Sequence, residues 1–191
     1  MIKTIPISTK TIMNLLLRLK YFKILRLFFN NPSKEFYVNE VKKETQLSPN
    51  IVCKELKNLT NKGILKSEKK ANSLYYKSNN QDYTVKELKR LYFIMQNQLK
   101  ETINDLFKKP QIKKVIIYGS MVKGDYDEES DIDICLIGIK IPKIDKEQYE
   151  KIFKRKIQLI SLSISEFEKL KDKDLAFYIE LQKGVQFERE I

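Results

Sequence analysis

An apolar run, Val115-Ile116-Ile117-Tyr118, leads straight into Gly119-Ser120, and ten residues further on the chain reads Asp131-Ile132-Asp133. No other feature constrains the fold as tightly. The run is short, rich in β-branched residues and closed by a glycine, which marks a buried strand rather than a helix. Residues 132–137 form a second strand of the same kind. Carboxylates two positions apart on a strand project from one face, so Asp131 and Asp133 share a side. A pair of acids on a rigid strand suits a hard, oxygen-seeking cation such as Mg²⁺. Gly119 permits close approach of the backbone. Ser120 opens a short helix whose N–H groups and hydroxyl suit terminal phosphates, and Lys123 is placed to add a positive charge.

Gly-Ser, ten residues and Asp-x-Asp after an apolar strand resemble the signature of the polymerase-beta-like nucleotidyltransferase superfamily. With the basic Lys123 before Gly124 and the run Ser130-Asp131-Ile132-Asp133, the stretch is most similar to the minimal nucleotidyltransferases (MNT type) of prokaryotes. The resemblance extends over residues 113–187. It implies Asp131 and Asp133 as catalytic metal ligands, and Gly119, Ser120, Lys123 and Ser130 as nucleotide-binding residues. It also implies one or two Mg²⁺ ions, ATP or another NTP as substrate, and transfer of a nucleoside monophosphate, AMP in the first instance, to an acceptor. Proteins of this kind often serve as antitoxins acting on a HEPN-type partner protein, by binding it or by adenylylating it.

One position departs from the pattern. The family's third carboxylate lies on the next strand, here Lys156-Ile157-Gln158-Leu159-Ile160, and the acidic position falls on Gln158. An amide can coordinate through its oxygen, but it brings no charge and cannot act as a base. Either the activity is weak, or Asp145, Glu147 or Glu150 substitutes, or the domain binds nucleotide without turning it over. The last case makes the chain a regulator that binds DNA and senses nucleotide or a partner. Gly119 and Gly124 also have the spacing of a P-loop, but Asp125-Tyr126 follows where Lys and Ser/Thr are required, which excludes that motif. The chain contains no histidine, which excludes His metal sites and His general bases.

The first half carries a different signal. Residues 1–80 hold 16 Lys+Arg against 5 Asp+Glu, and residues 81–191 hold 21 against 20. The chain's net charge of +12 is therefore concentrated in the first half, which favours an anionic partner there. Apolar positions at helical spacing predict a helix over 11–30, through Leu15, Leu16, Leu19, Phe22, Ile24, Leu27 and Phe28. A short helix over 39–45 follows, then the turn Gln46-Leu47-Ser48. A helix beginning at Pro49 has Val52, Leu56 and Leu59 inward. Gly63 is expected as its left-handed cap. Strands over 64–67 and 74–77 flank a polar tip at 69–73. This order resembles a winged helix-turn-helix domain, which implies duplex DNA as partner. Asn50, Lys54, Lys57, Asn58 and Asn61 face outward on the third helix, and Lys69 and Lys70 stand at the wing. A protein-contact role for the same module is the competing reading.

Val85, Leu88, Tyr92, Met95, Leu99, Thr102 and Leu106 alternate three and four apart, which predicts one long helix over 82–108. Its stripe is either a homodimer seam through 85–106 or a face packed on the chain's own domains. Cys53 and Cys135, the two cysteines, are too far apart in sequence and context for a disulfide framework. Both read as small buried hydrophobes in a reducing cytoplasm. The apolar stretch over 12–19 is interrupted by Arg18, Lys20 and Lys23 before it reaches spanning length, so no membrane association is expected. The expected organisation is α+β. It comprises a winged helix-turn-helix DNA-binding domain over 1–80, a linking helix over 81–110, and a mixed-sheet nucleotidyltransferase domain over 111–191.

Overall fold

The computed structural model describes residues 20–189, and the chain separates between Met95 and Gln96 into two compact units. The portion of the first expected helix that carries Leu15, Leu16 and Leu19 lies outside the described residues.

In the first unit, helix α1 (Lys20–Asn30) buries Ile24, Leu25, Phe28 and Phe29, a stripe at i, i+1, i+4 and i+5. The Asn31 side chain donates to the Leu27 carbonyl at 2.9 Å and closes the last turn ahead of Pro32. After a two-residue strand β1 (Phe36–Tyr37) comes α2 (Val38–Thr45), whose Glu40 accepts from the Tyr37 N–H at 3.1 Å. Gln46 turns left-handed and Pro49 opens α3 (Pro49–Asn61) at the position where its missing N–H costs nothing. Val52, Leu56 and Leu59 are buried as their spacing predicts, and Gly63 adopts φ 73° beyond the helix end.

The hairpin is longer than expected. β2 (Leu65–Lys70) and β3 (Ser73–Ser78) pair antiparallel up to Lys70 opposite Ser73, leaving only Ala71 and Asn72 as the tip. Lys69 and Lys70, expected in a polar tip, therefore belong to a strand. The sheet runs β1-β3-β2.

The expected continuous helix over 82–108 is two helices, α4 (Tyr83–Ile94) and α5 (Asn97–Phe107). Gln96 between them is extended, with φ −63° and ψ 135°. Neither glycine nor proline marks the break, so a seven-residue repeat runs through it unperturbed. Packing decides the outcome. Val85 and Tyr92 join the core of the first unit, while Leu99, Thr102 and Leu106 are buried in the second. Of the stripe, Val85, Tyr92, Met95, Leu99, Thr102 and Leu106 are buried and Leu88 is half-buried.

The second unit is a four-stranded sheet ordered β6-β5-β4-β7. β4 (Ile112–Tyr118) is antiparallel to β5 (Ile132–Gly138) and to β7 (Val185–Glu188), while β5 and β6 (Ile157–Ser163) are parallel. The parallel pair is joined through helix α7 (Glu147–Phe153). β7 is too short and half-exposed to announce itself by periodicity. On one face, Ile116, Tyr118, Cys135 and Ile137 pack with Leu181, and with Phe167, Leu170 and Phe177, from helices α8 (Ile164–Lys173) and α9 (Leu175–Lys183). Helix α5 lies against β4 and α7.

The two cysteines part company. Cys135 is buried in this core, and burial pushes its thiol up to about 12. Cys53 is exposed. Both were expected inside, but Cys53 falls on the outward side of α3, next to Lys54 and away from the Val52–Leu56–Leu59 stripe.

Candidate functional site

β4 ends at Tyr118, directly opposite Asp133 in the antiparallel ladder. The chain then turns at Gly119, whose φ of 75° lies in the region that favours glycine. A Cβ at this position would stand 2.0 Å from the Asp133 Oδ2. The close approach that the sequence assigns to Gly119 is therefore made by the carboxylate of Asp133 itself. The four-residue helix α6 (Ser120–Lys123) follows at once, so the aspartate and the Gly-Ser turn share one corner of the sheet.

Asp131 is secured from the neighbouring strand. Gln158 lies opposite Asp133 on the parallel strand β6, and its Nε2 donates to the Asp131 Oδ2 at 2.9 Å. Gln158 thus occupies the position that the sequence assigns to a third carboxylate, and it behaves there as a donor. Two of the three suggested substitutes are engaged elsewhere. Glu150 accepts from the Ile157 N–H at 3.0 Å and pairs with Lys146, and Asp145 accepts from the Glu147 N–H at 3.1 Å. Among the described residues no group of three or more His, Cys, Asp or Glu side chains is arranged to hold a metal.

The electrostatics fit a cation held by two acids. Burial and the neighbouring charge of Asp131 push the Asp133 carboxyl above its ordinary range; Glu180 adds to this and Lys123 opposes it. A cation between the pair would relieve that repulsion. Mg²⁺ is commonly held by one or two carboxylates with substrate phosphates and water completing the shell, so a pair suffices. Tyr118 responds to the same field, its phenol raised to about 12 by burial and then by Asp133.

Lys123 stands at the end of α6 and its Nζ pairs with the Glu180 Oε1 of α9 at 2.5 Å. Ser120 opens that helix half-buried. Ser130 is engaged in a local brace: its Oγ donates to the Asp127 Oδ1 at 2.8 Å and accepts from the Asp127 N–H at 2.9 Å. Glu180 and Arg155 were not anticipated as members of this neighbourhood. Glu180 lies about fifty residues beyond Asp131 on a helix whose pattern signals only packing. Arg155 is one of three adjacent basic residues, Lys154-Arg155-Lys156, ahead of a strand, and nothing in the sequence says which of them turns inward.

In the first unit, Asn50, Lys54, Lys57, Asn58 and Asn61 are all exposed on α3, and Lys69 is exposed on β2. Lys70 is tied to Glu35 at 2.5 Å and lies over the Tyr75 ring at 5.8 Å. That hydrogen bond holds the Glu35 carboxyl below its ordinary range and raises the Lys70 ammonium, and Lys77 pairs with the same acid at 3.5 Å.

Residues 100–190 match the family model described as polymerase beta, nucleotidyltransferase. Two proteins of Methanocaldococcus jannaschii, both provisionally named protein adenylyltransferases, are similar to shorter segments. One is 52% identical over 42 residues, 21% of this chain and 42% of the relative; the other is 37% identical over 51 residues, 27% of this chain and 50% of the relative. The chain thus spans half or less of the length of these relatives. The second unit is therefore similar to nucleotidyltransferases over most of its length. Among the described residues no helix is long and apolar enough to cross a membrane.

Proposed function

We propose that this chain is a DNA-binding nucleotidyltransferase that transfers AMP from ATP to a hydroxyl of a partner protein with the help of Mg²⁺. The observation that carries the reading is the Asp133 carboxylate lying against Gly119, one turn of chain from Ser120, with Asp131 beside it. The relatives' names supply the nucleotide and the acceptor class. Asp131 and Asp133 would hold Mg²⁺, which when bound would neutralise charge at the phosphates. The Ser120 hydroxyl and the first N–H groups of α6 hold the terminal phosphates. Lys123 turns to them from Glu180, an exchange that costs about 0–1 kcal/mol because the ion pair is partly exposed. The acceptor oxygen forms its bond to the α-phosphorus as the bond to the bridging oxygen breaks, and pyrophosphate leaves. Gln158 takes no proton, so the acceptor proton passes to an aspartate or to water.

The first unit, with α2, the tight turn, α3 and the β2–β3 hairpin, is read as a winged helix-turn-helix that docks α3 in duplex DNA. A HEPN-type ribonuclease is the first acceptor to try, which would make the chain an antitoxin in a reducing cytoplasm. One observation favours a second reading. Gln158 donates to Asp131 where a carboxylate would share a metal, so a weakly active or inactive regulator that binds DNA and nucleotide is the alternative.

Incubation with labelled ATP, Mg²⁺ and the candidate partner separates the two. Transfer of label that falls at least ~100-fold in D131N/D133N, with DNA binding intact, supports the enzyme. Label that persists in the double variant refutes it. Nucleotide binding without any transfer by the natural protein favours the regulator.

A further inference from the structure

The approach to Asp131 is governed by a residue that no part of the proposed chemistry uses. Arg155 lies between α7 and β6, three residues before Gln158. Its Nη1 donates to the Asp127 carbonyl at 2.6 Å, the Ser130 carbonyl at 2.8 Å and the Glu128 carbonyl at 3.1 Å. A guanidinium Nη carries two hydrogens, so three acceptors share them and the loop must fold tightly around that one nitrogen. The guanidinium carbon stands 5.7 Å from the centre of the buried Tyr126 ring, within reach of a cation–π attraction. The loop also braces itself. Asp127 accepts from Ser130 Oγ and from the Glu129 N–H at 3.0 Å, and its carboxyl is held below its ordinary range, first by the Ser130 hydrogen bond. The carbonyl of Ser130 is the last group before Asp131.

We infer that Arg155 is a positioning residue that sets where the Asp131 carboxylate stands. Arg155 fixes the backbone entering Asp131, and Gln158, on the strand Arg155 leads into, fixes its side chain from the other end. A single short segment thus locates one metal ligand at two points. The carbonyls at 127, 128 and 130 come from a loop without regular structure, and all three converge on the one nitrogen. An arginine suits the task because its planar fork loses less freedom per hydrogen bond than a lysine ammonium does. Residues that orient a metal ligand commonly change metal affinity by about 10–100-fold when removed, although they never touch the ion.

The inference rests on the metal reading of Asp131 and Asp133, and the test keeps the two apart. Mn²⁺ binding to the full-length protein without nucleotide, followed by electron paramagnetic resonance, is measured for the natural protein and for R155A, R155K and D131N/D133N. Thermal unfolding of each is recorded alongside. The expected result is binding by the natural protein that is lost in D131N/D133N, about 10-fold weaker in R155A and intermediate in R155K. Should R155A fail to fold, R155K carries the test, with an expected weakening of about 3-fold, since it keeps the charge and loses the fork. Natural affinity in a folded R155A, or in R155K where R155A does not fold, overturns the positioning role. Absence of Mn²⁺ binding in the natural protein, even after a non-hydrolysable ATP analogue is added, sinks the metal reading itself, and this inference with it.

Discussion

The two units hold their candidate functional residues in opposite ways. In the first, Asn50, Lys54, Lys57, Asn58, Asn61 and Lys69 project from the surface of a helix and a hairpin, and the apolar stripe beneath them would pack equally well with other polar side chains above it. In the second, Asp133 is pressed against Gly119, and Asp131 is bound by Gln158 and approached through the Arg155 loop. A surface that works by summed charge tolerates single losses, whereas a site in which each group fixes the next does not. Substitutions should therefore give graded effects in the first unit and abrupt ones in the second.

The largest expected effect is at Gly119. Alanine there would place its Cβ 2.0 Å from the Asp133 Oδ2 and hold a φ of 75°. The clash and the left-handed backbone together should destabilise the unit by about 2–4 kcal/mol and remove nucleotide transfer. Denaturant unfolding of G119A, D133A and the double variant resolves the two contributions. Shortening Asp133 to alanine clears the clash, so the double variant should regain part of the loss and keep a residue of about 1–2 kcal/mol from the backbone. Strict additivity would show that the two residues do not press on one another.

The graded arm of the comparison is tested by salt. If Lys54 and Lys57 meet phosphates, K54A/K57A should weaken DNA binding across all sequences. It should also reduce the slope of log affinity against log salt by about 2, one unit for each lysine. Lys70 should contribute less than Lys69, because Lys70 is already partnered by Glu35. An abrupt loss from either lysine alone, or a slope that does not change, would break the contrast between the units.

What the sequence made legible follows the same divide. β4 and β5 fall where their apolar runs put them, because each buries a continuous apolar set. The Asp131–Asp133 pair and the turn at Gly119 were readable since a strand fixes the direction of alternate residues. The placement of Gln158 was readable too, being a matter of parity on the next strand. The break at Gln96 was not, because the helical repeat runs through it and only the division of burial between two units stops the helix. Cys53 was misplaced by residue type, since a cysteine beside a buried valine looks apolar until the helix face is counted. Arg155 and Glu180 act across loops and elements, where spacing carries no information.

The smallest effect tests whether the second unit is interdependent away from its site as well. Tyr149, buried beneath α7, donates to the Asp105 Oδ2 of α5 at 2.7 Å. This hydrogen bond is the chief cause holding the Asp105 carboxyl below its ordinary range, with Lys108 assisting, while burial and the same bond raise the phenol. A carboxyl depressed by folding stabilises the native state above its unfolded value, and that contribution fades as pH falls through the lower native value. Y149F should therefore cost about 1 kcal/mol near pH 7, discounted for the part of Asp105 that remains in water, a shift of roughly 4–8 °C for a unit of this size. The gap between natural protein and variant should narrow as pH falls below the ordinary aspartate range, where the depressed carboxyl loses its charge. A gap that stays constant with pH would mean that lost packing alone is felt, and that the interlocking seen around Asp131 is confined to that corner of the sheet.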